Sequence, residues 1–293
     1  MILLLLIAGA QPSPDITPTE QELACSLNDG RTCEAAGLAL AELAGEANVS
    51  RAANLYRIGC HAKAAGSCIR MGLAHDTGQG VEQNPVLASS YFQRACDLGN
   101  ATGCSNIGLS YAFGKGVPKH DGQAAAYFRR ACDAGDKGGC SNLATAYVLG
   151  VGVKRDRRAA VPLYLWACER GDSNACFNMG VLYEKGWGLK RAIPRAAEYY
   201  LEACEAGEGA ACGGLGGLHQ TGRLGVRDAK VGASYFDRGC ALSHAESCLK
   251  LGQAYVRGRG LVKDEAKGLE LIRRALQLDP TLRSAQRALE EAS

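Results

Sequence analysis

One strict pattern governs the sequence: fourteen cysteines fall into seven pairs of identical spacing, C-x7-C, with none left over. The pairs are Cys25/Cys33, Cys60/Cys68, Cys96/Cys104, Cys132/Cys140, Cys168/Cys176, Cys204/Cys212 and Cys240/Cys248. Their first members are separated by 35 residues once and by 36 residues five times, a self-similarity that marks stacked supersecondary units. Any fold must therefore repeat, and must give each cysteine pair the same local setting.

The unit beginning at Gly103 sets that local structure. Counting from Cys104, apolar or small residues recur at +3 (Ile107), +4 (Gly108) and +7 (Tyr111), the one-face spacing of an amphipathic helix. Gly114-Lys115-Gly116 breaks it. A second helix is predicted from Asp121 as N-cap, through Ala124, Tyr127, Phe128 and Ala131 to Cys132, with Gly135 as its stop. The columns return in the neighbouring units, with Gly72, Gly108, Gly180, Gly216 and Gly252 at +4 and Tyr111, Tyr147, Tyr183 and Tyr255 at +7. A helix-interior glycine costs about 1 kcal/mol relative to Ala, so its return at +4 implies close approach of the partner helix. His75 and His219 occupy the +7 column, where a packing role is expected.

In this frame the first cysteine of a pair ends one helix and the second lies in the first turn of the next. The seven residues between them form the turn, which can bring the sulfurs together. Closing a nine-residue ring contributes about 2.5 kcal/mol, so seven bridges contribute on the order of 15 kcal/mol. Metal ligation competes poorly, because C-x2-C knuckles are absent and the five histidines do not cluster. No metal and no cofactor is expected. Disulfides in this number imply an oxidising compartment. The terminus agrees: an apolar stretch followed by Ala8-Gly9-Ala10 predicts a signal peptide over 1–10, then a short linker over 11–20, and hence a periplasmic or secreted protein.

The remaining chain, 21–293, is expected to be one repeat array with a capping helix from about residue 281. Its ends deviate as caps should. The step from Cys33 to Cys60 lacks the Gly-x-Gly loop, and Leu276 stands where the next cysteine would fall. The apolar run Ile2 to Ala8 is far short of the roughly 20 residues that span a bilayer, so no membrane span is expected. A net charge of +3 without like-charge runs gives no reason to expect a nucleic-acid partner. A monomer is expected.

The units resemble Sel-one-like repeats, relatives of the tetratricopeptide repeat. The likeness rests on Gly at +4, Tyr at +7, and the loops Gly78-Gln79-Gly80-Val81, Gly114-Lys115-Gly116-Val117 and Gly150-Val151-Gly152-Val153. The added C-x7-C is similar to the secreted cysteine-rich branch known from Helicobacter, whose members are commonly labelled β-lactamase-like. The resemblance implies an all-α, right-handed α-solenoid of about seven helix-turn-helix repeats, acting as a scaffold for a protein or peptide.

With the buried stripe at 0, +3, +4 and +7, a helical wheel puts +2, +6 and +9 on the opposite face. In tetratricopeptide-like stacks that face lines a concave groove. The +2 column reads Arg70, Asn106, Asn142, Asn178, Gly214 and Lys250, and the +9 column includes Phe113, Leu149 and Lys185. An amide donates and accepts at once, so an asparagine ladder suits the backbone of an extended peptide. The competing role is for each Asn to bond its own loop. Beside these binding candidates stand the fourteen cysteines, as the positions to which the spacing assigns a disulfide. The alternative function, a β-lactamase-like hydrolase or penicillin-binding protein, needs S-x-x-K, S-D-N and K-T-G. Only Ser247-Cys248-Leu249-Lys250 matches the first, inside the repeat frame, and no catalytic residue is assigned.

Overall fold

The computed structural model describes Cys25, residues 29–43 and residues 45–291. The expected signal peptide and linker lie outside the described residues. Among the described residues there are fifteen helices and no strand. Contacts divide the chain into two compact units, one up to Gly139 and one from Cys140. The first holds α1 (Gly30–Ala41), α2 (Glu46–His61), α3 (Ala65–Thr77), α4 (Pro85–Asp97), α5 (Ala101–Phe113) and α6 (Asp121–Asp133). Helix α7 (Lys137–Leu149) carries the chain into the second. There follow α8 (Arg157–Cys168), α9 (Ser173–Lys185), α10 (Ile193–Glu205), α11 (Gly209–Thr221), α12 (Ala229–Ala241), α13 (Ala245–Arg257), α14 (Glu265–Leu278) and α15 (Arg283–Glu290). Odd-numbered helices up to α13 carry the second cysteine of a pair and are called A-helices here; even-numbered ones are their B-helix partners. Seven hairpins of one design, in the solenoid class of all-α proteins, are thus followed by a closing helix.

The sequence accounts for where each helix starts and stops. At B-helix starts the side chains of Asn84, Asp156, Asp228 and Asp264 accept from N–H groups of the first turn, satisfying donors that the helix itself leaves orphaned. In the third hairpin this cap is His120, whose side chain accepts from Gln123 N, and the expected cap Asp121 lies one residue inside. The imidazole thus fills the column that Asn or Asp fills elsewhere. A-helices end on a glycine in the left-handed conformation, as at Gly78, Gly114 and Gly186, where a Cβ would be strained.

Cysteines close the turn between one hairpin and the next. Six bridges have Cα–Cα distances between 4.5 and 4.8 Å, inside the usual range. Cys132 and Cys140 are disulfide-bonded as well, and no free cysteine occurs among the described residues.

The pairing is as the spacing assigns it, and Cys68 and Cys212 show how deeply the bridges are set. Both are 0% exposed, as are their partners Cys60 and Cys204. The Cys68 and Cys212 sulfurs lie 3.8 Å from the Cys60 and Cys204 carbonyl oxygens. An oxidised sulfur has no proton to donate, so these are packing contacts and not hydrogen bonds. The reason for the burial is position: each second cysteine sits on the A-helix stripe that faces the preceding B-helix, inside the core. These cysteines build the fold and offer nothing to a ligand.

A glycine at +4 is where the hairpins close, except in α7, which has Ala144 there. A Cβ on Gly72 would sit 2.5 Å from the Phe92 ring, on Gly108 2.7 Å from Phe128, on Gly180 2.5 Å from Tyr200 and on Gly216 2.6 Å from Phe236. One large B-helix ring therefore fills the place of each missing side chain. The +7 column stacks beside it: Tyr111 on Tyr127 and Tyr183 on Tyr199, both with centroids 5.6 Å apart. His75 on Tyr91 and His219 on Tyr235 do the same at 5.7 and 5.6 Å, the packing role expected of those histidines.

One expectation about the helix wheel fails. The +6 residues Ala74, Ser110, Ala146, Leu182, Leu218 and Ala254 are all buried. A wheel built for one partner misses the second: within the units α3 touches α5, α9 touches α11 and α11 touches α13, so an A-helix is covered by its B-helix and by neighbouring A-helices.

Candidate functional site

The A-helix face left open is lined by positions +2, +5 and +9, joined in the second unit by Phe177 and Gly213 at +1 and Glu184 at +8. On it Asn106 of α5, Asn142 of α7 and Asn178 of α9 occupy one register position, each half-buried. Their side-chain amides make no hydrogen bond within the chain among the described residues, so the competing role, a bond to the local loop, is not taken. Arg70 is exposed on α3. Phe113 and Leu149, the last residues of α5 and α7, are 77% and 54% exposed. These apolar tips stand in water, in a fold that otherwise buries its large rings.

Lys185 and Lys250 come together in the second unit, where they line one cavity of about 450 Å³ between α9, α11 and α13. Its floor is Gly213, Gly214 and Gly217 of α11. One wall is aromatic, with the rings of Phe177 and Tyr200 tilted at a centroid distance of 5.7 Å. The opposite wall is His244, Ser247 and Lys250. Cys212 precedes that floor directly in the chain but is sealed beneath it and does not line the cavity. The columns +1, +5 and +8, which supply Phe177, Gly217 and Glu184, were missed by sequence reasoning. The signal for them was the run Gly213-Gly214-Leu215-Gly216-Gly217, denser in glycine than any other repeat helix.

Polar groups in the cavity are organised unevenly. Glu184 accepts from the Tyr200 hydroxyl at 2.6 Å and from Arg223 at 2.5 Å, and Lys185 lies 3.7 Å away. Burial pushes the Glu184 carboxyl up, but the hydrogen bonds from Tyr200 and Arg223 outweigh it and hold the group below the ordinary carboxylate range. Tyr200 moves the opposite way, because burial and the adjacent carboxylate both favour its neutral phenol. Arg223 repeats a device of the first unit, where Lys115 reaches Asp76 at 2.6 Å: in both, a loop cation pairs with the +8 acid of the preceding hairpin. In the second unit Tyr164 of α8 is pushed to about 12 by burial, and its hydroxyl lies 2.7 Å from that of Thr145 on α7.

Burial lowers the pKa of His244, whose Nδ1 lies 2.8 Å from Ser247 Oγ. Ser247 is 1% exposed and adjacent to the disulfide-bonded Cys248, so the S-x-x-K match is part of a packed helix turn and lends the hydrolase alternative no support. Among the described residues, Cys168, Cys176 and Glu202 are close enough to share a metal ion, but both sulfurs are consumed in a disulfide.

The chain is thus a disulfide-stapled array of helical hairpins whose A-helices each leave one face open. The Sel1 repeat model matches residues 65–100, 101–136, 138–172, 173–208 and 245–280, together more than half of the sequence, and the chain belongs to that family. Residues 209–244, which form α11 and α12, fall outside those matches. The chain is similar to a protective antigen of uropathogenic Escherichia coli that displays an SLR fold, with 22% identity over 90% of this chain and a TM-score of 0.74. It spans 56% of that protein's length. It is also similar to a Sel1 repeat protein from Oxalobacter formigenes, with 26% identity, 79% of this chain and 95% of that one covered, and a TM-score of 0.73. Helicobacter pylori cysteine rich protein B aligns with 46% of this chain and 96% of its own at 25% identity, with a TM-score of 0.37. No curated protein sequence matches the chain.

Proposed function

We propose that this chain is a binding scaffold that takes up an extended segment of a protein or peptide on the open A-helix face, in an oxidising compartment outside the cytoplasm. The observation that carries the reading is the pair of Asn142 and Asn178 amides, half-buried at one register position and without partners among the described residues; Asn106 repeats the arrangement in the first unit. A polar group held part-way out of water and left unpaired gains from a ligand that supplies both donor and acceptor, as a peptide backbone does. Sel1 repeats are interaction modules in general, and the exposed tips of Phe113 and Leu149 add apolar contact on the same face of their helices. Fourteen oxidised cysteines support the compartment, since thiol buffers keep cytosolic proteins reduced.

The test is an Asn142→Ala/Asn178→Ala double variant screened against an array of immobilised twelve-residue peptides. Binding is expected to fall about tenfold on peptides that the unaltered chain captures, with the melting temperature within about 3 °C. Unchanged capture together with a lowered melting temperature would contradict the reading.

A further inference from the structure

The cavity between α9, α11 and α13 goes beyond a general binding face, because three of its properties select one kind of side chain. We propose that it is a specificity pocket for an aromatic side chain of the bound peptide, with a carboxylate two residues further along held by Lys250. The inference rests on the peptide-binding reading above and deepens it.

Shape comes first. About 450 Å³ lies within the roughly 300–1,000 Å³ of ordinary ligand pockets. The space exists because α11 lacks side chains where other A-helices have them: the +1, +2 and +5 positions are Ser105, Asn106 and Leu109 in α5 but Gly213, Gly214 and Gly217 in α11. Packing explains part of this. A Cβ on Gly213 would sit 2.7 Å from Ser247 Oγ, and one on Gly214 would sit 3.1 Å from the Tyr200 ring. Gly217 has no such reason, since a Cβ there would meet nothing within 4 Å. Glycine inside a helix gives up about 0.5–1 kcal/mol relative to Ala, and at Gly217 the only thing it secures is open space in the cavity.

The wall decides what fills that space. Phe177 and Tyr200 present a tilted ring pair, and a third ring entering over the glycine floor completes an edge-to-face cluster of the kind that adds to simple burial.

Charge then fixes the neighbour. Lys185, Arg223 and Lys250 stand against Glu184 and the exposed Glu246. Glu184 is already held by Tyr200, Arg223 and Lys185, which leaves it no need of a ligand cation. Lys250 is half-buried and makes no ion pair among the described residues. Burial keeps His244 neutral, so it adds no charge to the wall. The unmatched charge is therefore one ammonium. Neighbouring helices pack about 8–10 Å apart and an extended chain advances about 3.3 Å per residue, with alternate side chains on one face. Two residues advance about 6.6 Å, and the long Lys250 side chain covers the remaining few ångströms to a carboxylate placed there.

The experiment uses the oxidised full chain and a fluorescein-labelled hexapeptide, Ala-Ala-Phe-Ala-Glu-Ala, read by fluorescence anisotropy. Replacing Phe by Ala or Glu by Lys in the probe should weaken binding about tenfold each. Gly217→Leu, which fills the notch, and Lys250→Glu should each do the same with the unaltered probe. Gly217→Leu also favours the helix, so its melting temperature should not fall and lost binding cannot be blamed on unfolding. Equal affinity for the Phe and Ala probes, equal affinity of Gly217→Leu and the unaltered chain, or no anisotropy change at millimolar protein would each overturn the pocket. The Asn142→Ala/Asn178→Ala variant separates the two claims. If it weakens peptide capture while the Phe and Glu dependence is absent, only the pocket fails; if it changes nothing while Gly217→Leu abolishes binding, the amide ladder fails and the pocket stands.

Discussion

Helices α5 and α11 occupy the same place in their hairpins and have the same length, yet they treat their surroundings differently. In α5, Gly103 and Gly108 are both forced by packing, against Ala95 and the Phe128 ring, and the open face carries Asn106 and Leu109 above a buried Ser105. In α11, Gly216 answers to Phe236 in the same way, but a Cβ on Gly217 would meet nothing within 4 Å among the described residues. The comparison separates glycine that makes the fold from glycine that makes a cavity.

That separation can be broken by substitution. Gly108→Ala and Gly216→Ala should both be destabilising by about 1–3 kcal/mol, the usual range for forcing atoms into a packed core, as measured by urea unfolding. Equal and large losses in both helices would confirm the shared role of the +4 column, and a gain in either would break it. At +5 the signs should differ between the helices. Leu109→Gly should lose about 1 kcal/mol or more through helix propensity and lost contact, whereas Gly217→Leu should gain up to about 1 kcal/mol. Thermal melts of the two single variants give the comparison directly.

The smallest effect concerns pH. His244 is held below its ordinary value of 6.5 by burial, so as pH rises the folded chain gives up that proton before the unfolded chain does. Its share of stability is complete above about pH 6.5 and declines as pH falls through that value, with a slope no steeper than about 1.4 kcal/mol per pH unit for one proton. Asn100, which caps α5 from the equivalent position, does not titrate. His244→Asn should therefore flatten the decline between pH 7 and 5 in denaturant titrations, and an unchanged slope would count against the buried, neutral imidazole.

What could be foreseen from the residues follows from the same physics. The hairpins, the turns closed by cysteine and the close approach of the partner helix at the +4 glycines were legible because they recur with a fixed period, and recurrence turns a weak local signal into a column. Recurrence gives the pairing of Cys68 and Cys212 but not their depth, because spacing along a chain says which sulfurs can meet and burial depends on what packs over them. Tyr164 marks another edge of that legibility: its partner position is Ala144, and the ring is accommodated there with a hydroxyl contact to Thr145 that no glycine announced. A helical wheel misplaces the +6 face because it has one inside and one outside, while Leu182 and Leu218 are covered by a neighbouring A-helix. His120 escapes recognition as a cap because imidazole is an uncommon acceptor at that site. The cavity itself is hidden for a different reason. It is made of absences at Gly213, Gly214 and Gly217, bounded by Phe177 and Lys250 from other helices, and a missing side chain gains meaning only once its neighbours are placed.

The open face can be examined at the level of single side chains by a two-dimensional NMR titration of the isotope-labelled, oxidised chain with a captured peptide. The side-chain amide resonances of Asn142 and Asn178, together with backbone signals of α9, α11 and α13, should shift first and saturate together. Shifts confined to B-helix residues, with both asparagine side chains unmoved, would contradict the account.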